Sequence, residues 1–62
     1  MPFNEVKIYE KRLNPETERQ LIERLTEATV DVFGEGVREH TWVVLQPIPA
    51  ERWGIAGTPG SS

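Results

Sequence analysis

The sequence predicts an α+β fold: a single short β-α-β unit with parallel strands and a C-terminal hairpin, completed by oligomerisation. Three observations carry this. Two short apolar-rich stretches flank one long segment of helical periodicity, the pattern of a strand–helix–strand crossover. Trp53-Gly54-Ile55-Ala56-Gly57 supplies the glycines of a tight hairpin or bulge after the second stretch. Finally, 62 residues make one domain at most, spanning 1–62, and a chain this short is marginal alone.

Phe3 to Tyr9 reads as the first strand, with Val6 and Ile8 alternating with Glu5 and Lys7. Pro2 shares the parity of Val6 and Ile8, and proline is permitted at the first position of a strand. Glu10 to Leu13 connects. Asn14-Pro15 then starts a helix, with Asn as cap and Pro at the first helical position. Glu16 and Glu18 in the first turn suit the helix dipole. The helix should run to about Phe33, where Gly34 stops it. Leu21, Leu25, Ala28 and Val32 form one apolar stripe, and Ile22, Thr29 and Phe33 a second. Together they are broad for a helix covering one small sheet, so the surplus predicts contact with another subunit.

Thr41 to Gln46 is the second strand, and its run Trp42-Val43-Val44-Leu45 fits burial on both faces. A right-handed crossover makes the two strands parallel. Pro2 and Trp42 then lie at the same end of the sheet. Pro47 and Pro49 should end the strand, with a turn of helix over Pro49-Ala50-Glu51-Arg52. Thr58 to Ser62 reads as a frayed tail.

Composition narrows the function. There are no Cys residues and one His, which excludes disulfides and an ordinary zinc site. Neither a metal nor another cofactor is expected. Oligomerisation is the remaining way to stabilise so small a chain. A formal net charge of −3 argues against a nucleic-acid partner. No apolar run approaches the roughly 20 residues of a membrane span. The N-terminus alternates charged and apolar residues, unlike a secretory signal. A cytoplasmic protein is expected.

The chemically distinctive stretch is Met1-Pro2. Initiator methionine is normally removed before a small residue. Its loss would leave Pro2 with a free secondary amine on a rigid ring. An α-amino group titrates nearer neutrality than lysine, and desolvation or a neighbouring cation lowers its pKa further. With Met1 in place the nitrogen is an amide and this chemistry is impossible.

Met-Pro at the start, an Arg just after the first strand, a β-α-β unit of this length and Trp53-Gly54-Ile55-Ala56-Gly57 together resemble the 4-oxalocrotonate tautomerase family, of the tautomerase superfamily. The likeness runs from Pro2 to Gly57. It implies a catalytic N-terminal proline, matched by Pro2. It implies a substrate-binding Arg at the end of strand one, matched by Arg12. It also implies an aromatic before a Gly-Ile-Gly-Gly-like hairpin, matched by Trp53. It further implies a homo-oligomer, a hexamer before a trimer or dimer. Members acting on dicarboxylates carry a second Arg near the start of strand two. Trp42 stands there, and a Trp cannot pair with a carboxylate. Arg38 and Arg52 are the candidate substitutes. Arg12-Leu13-Asn14-Pro15 and His40-Thr41-Trp42-Val43 are also similar to the cis-3-chloroacrylic acid dehalogenase branch. Ile55 and Val44 occupy the places of that branch's water-activating acid and tyrosine, which counts against hydrolytic dehalogenation.

The resemblance implies a tautomerase interconverting enol and keto forms of 2-oxo acids. One base that accepts and then returns a proton is sufficient for that reaction. Pro2 would be the base, Trp53 its apolar wall, and Arg12 the anchor of the substrate carboxylate. Two alternatives stay open: hydratase-, dehalogenase- or aldol-type chemistry through Pro2, and a non-catalytic oligomer of the same fold. Trp42 is assigned to core or interface, and His40 to the surface or a strand end. The run Glu16, Glu18, Arg19, Glu23, Arg24, Glu27 reads as a solvated helix face.

Overall fold

In the computed structural model, residues 1–60 are described. Strand β1 spans Phe3–Tyr9, helix α1 Pro15–Phe33 and strand β2 Trp42–Ile48. The short strands β3, Gly54–Ile55, and β4, Thr58–Pro59, close the chain. Single 3-10 turns occupy Glu10–Arg12, Glu35–His40 and Ala50–Arg52. β1 and β2 are parallel, with Phe3 opposite Trp42 and Tyr9 opposite Ile48.

The start of α1 follows the residues closely. Asn14 accepts hydrogen bonds from the Glu16 and Thr17 backbone N–H groups, both at 2.9 Å. Thr17 Oγ1 accepts one from Asn14 N–H, completing a capping box. Pro15 sits in the first turn, where its missing donor costs nothing. Gly34 ends the helix at φ 97°, a conformation that favours glycine.

Asn4 donates to Thr29 Oγ1 at 3.3 Å, so Asn4, Val6 and Ile8 face the helix. Phe3, Glu5, Lys7 and Tyr9 therefore face away, with Trp42, Val44, Gln46 and Ile48 beside them on the same open face. Val30 is the one buried hydrophobic residue among those described, at 7 % exposure. The packed face of α1 centres on Val30, with Leu21 and Leu25 of the first predicted stripe, Thr29 of the second, and Thr26 half-buried around it, whereas Ile22, Ala28, Val32 and Phe33 of those stripes are exposed. Val32 and Phe33 point outward, 73 % and 68 % exposed. Trp42 and Val44 are exposed too, so the expected burial of β2 on both faces is not achieved within one chain. Gln46 Oε1 is buried on this open face without a hydrogen-bond partner.

The dimensions show the same deficit. The chain measures 43 × 24 × 14 Å, one helix and one sheet thick. Its radius of gyration is 14.3 Å, against about 10.6 Å for a compact chain of this length. Its accessible surface is 4859 Å², against roughly 4,100 Å² for a compact monomer of this mass.

Two boundaries differ from the sequence reading. β2 continues through Pro47 to Ile48, because each strand of a two-stranded sheet is an edge, where proline is tolerated. Thr58–Pro59 is not a tail but the return strand of a hairpin with Gly54–Ile55. Ala56 and Gly57 make the turn, with φ 54° and 83°, the positive values that short hairpin loops demand. Gly60, also in the predicted tail, is held to the Trp53 carbonyl, and residues 61–62 lie outside the described residues.

Candidate active site

Pro2 is half-buried at the start of β1, and its carbonyl accepts a hydrogen bond from Trp42 N–H at 3.0 Å. The parallel register therefore brings Pro2 and Trp42 together, as the topology predicts. Met1 is 86 % exposed. Phe3 and Trp42 lie directly opposite one another, 61 % and 55 % exposed. Trp42 is thus no core residue of its own chain.

Arg12 and Trp53 occupy the opposite end. Tyr9 closes β1 and meets Trp53 edge-on, with ring centroids 5.1 Å apart and planes at 70°. Trp53 Nε1 donates to the Ile48 carbonyl at 3.3 Å, and Gly60 N–H donates to the Trp53 carbonyl at 2.7 Å. The hairpin thereby clamps the indole beside the end of β1. A cavity of about 350 Å³ opens there. Tyr9 and Pro49 line it together with two cations, Lys11 and Arg12, and two acids, Glu10 and Glu51, with no ion pair among these four.

The structure thus assembles two groups, not one. A strand of seven residues separates Pro2 from Arg12, about 20 Å of extended chain. Arg12 and Trp53 cannot reach Pro2 of the same chain.

The two possible second cations also separate. Arg38 is fully engaged: its guanidinium donates to Glu27 through both Nη atoms and to Glu35 through Nε at 2.7 Å. These hydrogen bonds hold the Glu27 and Glu35 carboxyls below the ordinary glutamate value and push the Arg38 guanidinium up. The triad pins the turn after α1 to the helix. Arg52 has no ion-pair partner among the described residues and lines a groove with Lys7 and Trp53. His40 is exposed at the end of its turn, 3.7 Å from Glu39. No cluster of three potential metal-ligating side chains occurs among the described residues.

The sequence profile of the family described as Tautomerase enzyme matches residues 2–61. The chain belongs to the tautomerase family. Its parallel β-α-β unit and C-terminal hairpin are those of the tautomerase fold. A protein of Ralstonia nicotianae described as a probable tautomerase is 40 % identical over 62 residues, covering 100 % of this chain and 86 % of that protein. No solved structure matches the chain. Membership makes this chain an isomerase of the tautomerase type. No described helix is long and apolar enough to cross a membrane.

Arg24 is exposed on α1, as its assignment to a solvated helix face expects. Thr17, Gln20, Leu21 and Arg24 fall at i, i+3, i+4 and i+7 on one face of α1, and all four line a groove shared with Arg12.

Proposed function

We propose that the protein interconverts enol and keto forms of 2-oxo acids, with the Pro2 amine, freed by removal of Met1, as the general base. Arg12 and Trp53 come to that amine from another copy in a homo-oligomer, with a hexamer the leading expectation. The observation that carries this is the placement of Pro2 and Arg12 at opposite ends of β1. Each end of a chain offers half of a site, and a second copy supplies the other half. The single buried residue among those described, the exposed Phe3, Trp42, Val32 and Phe33, and the orphaned Gln46 oxygen support an assembly.

The chemistry follows from the roles. Neutral Pro2 nitrogen accepts the proton of the enol hydroxyl, and the resulting pyrrolidinium returns a proton to carbon. No cofactor is needed for that transfer. Arg12 binds the carboxylate and stabilises negative charge as it develops on the neighbouring oxygen. Trp53 excludes water, which favours the neutral amine. The dehalogenase-type alternative has no acid to activate water, since Val44 and Ile55 stand in those places and both are exposed apolar side chains.

A base must be unprotonated. The rate, as kcat/KM, should therefore rise with pH through the amine pKa, and below the usual α-amino range of about 7.7–8.0. A pH–rate series on Met-free protein, with the amine titrated by NMR, tests this. A protein that retains Met1, or carries an acetylated terminus, should show no tautomerase activity. Equal activity with the amine blocked would remove Pro2 from the chemistry.

A further inference from the structure

We propose that Arg24 joins Arg12 in a two-arginine site for the substrate carboxylate. This rests on the reading of Arg12 as the carboxylate anchor and adds a residue to it. The groove that both arginines line has a volume of about 220 Å³ and lies on the helix side of the sheet end. Its floor is apolar, made by Ile8, Leu13 and Leu21, and Gln20 adds an amide on the same helix face. No carboxylate lines it, whereas the larger cavity next to it sets two acids against two cations.

Two further observations single out Arg24. The acids nearest to it on the helix are already taken. Glu23 pairs with Arg19 at 3.9 Å and Glu27 is held by Arg38, and Arg24 has no ion-pair partner among the described residues. Second, Arg12 is tied to the same helix face. Thr17 Oγ1 donates to the Arg12 carbonyl at 3.2 Å, fixing the loop against the turn two turns ahead of Arg24. Two unpaired guanidinium groups, one acid-free groove and an apolar floor suit a planar oxyanion with a hydrocarbon body. Arg38 cannot fill this role without releasing two carboxylates.

The test is a titration of isotope-labelled, Met-free protein with phenylacetate, a carboxylate that has no 2-oxo group to enolise. The arginine Nε–Hε signals report the site. Arg12 and Arg24 should shift together along one binding curve. Arg24→Ala should weaken binding roughly tenfold, as expected for one charge-assisted contact, and Arg24→Lys should recover part of it. With a 2-oxo acid substrate, Arg24→Ala should raise KM far more than it lowers kcat. Unchanged affinity in Arg24→Ala, shifts confined to Arg52, or an altered assembly mass would each overturn the assignment. Binding is read without turnover, so a catalytically silent amine would leave this site standing and sink only the tautomerase role of Pro2.

Discussion

The two ends of the β1–β2 sheet are built differently. At the Pro2 end the strands simply begin. The backbone hydrogen bond from Trp42 to Pro2 is the last rung, and Phe3 and Trp42 stand exposed beside it. At the Arg12 end the chain turns back on itself twice. A 3-10 turn presents Lys11 and Arg12, and a hairpin clamps Trp53 over Tyr9. Grooves gather at this second end. One end carries the candidate base and a groove along Glu35, Gly36, Arg38 and Glu39. The other carries cavities and cations. On the proposed reading, a second copy of the chain would bring the two unlike ends together.

The largest separable effect belongs to the Arg12 end. Arg12→Ala should lower kcat/KM for 2-oxo acid enols by ten- to a hundredfold, the equivalent of roughly 1.5–3 kcal/mol for a charged contact. The assembly should persist, and the Pro2 amine should titrate at higher pH once the neighbouring cation is gone. Steady-state kinetics with native mass measurement checks this, and unaltered kinetics would return Arg12 to the solvent.

Gly60 tests the clamp at the same end. A methyl group there would overlap the Tyr9 hydroxyl and come within 3.0 Å of the Ala50 carbonyl oxygen. Gly60→Ala should destabilise the chain by about 1–3 kcal/mol through overpacking. The Trp53 indole N–H signal should move while the Phe3 and Trp42 amides keep their shifts. Denaturant unfolding and NMR read both. Movement at both ends would mean that they are mechanically coupled.

The smallest effect lies at the Pro2 end, in the Arg38 triad. Glu27 and Glu35 have lowered carboxyl pKa values in the folded chain. Their stabilisation is therefore fully present above the ordinary glutamate value and is lost as pH falls through the lowered ones. All three groups are exposed, so the contribution is modest. On acidification the amides of Glu35–His40 should loosen before those of β1. In Arg38→Ala that early step should disappear. An NMR pH titration of the two proteins checks it.

Much of this architecture was legible in the sequence. The alternation of Val6 and Ile8, the Asn14-Pro15 start and the Gly34 stop each have one local physical cause, and all three place their elements correctly. Pro47 misled because its penalty depends on which side of a strand is paired, a tertiary fact. Thr58–Pro59 was illegible because a two-residue strand has no periodicity; only its pairing with Gly54–Ile55 defines it. Val30 became the buried residue because the sheet selects one face of α1, and a helix with two apolar stripes does not announce which. For the site, Pro2, Arg12 and Trp53 could be nominated from residue type and resemblance. Their division between two ends follows from strand length, and the groove shared by Arg12 and Arg24 required the packed helix.

The central claim is that Pro2 and Arg12 act together only across copies. Subunit mixing tests it most directly. One partner keeps an acetylated terminus and the other carries Arg12→Ala; each alone should be nearly inactive or strongly impaired. Unfolded together and refolded as an equal mixture, they should regain about a quarter of wild-type activity, because random assortment pairs an intact Pro2 with an intact Arg12 in one site of four. Activity no higher than the average of the two parents would contradict the account, since it would mean that both residues must come from one chain.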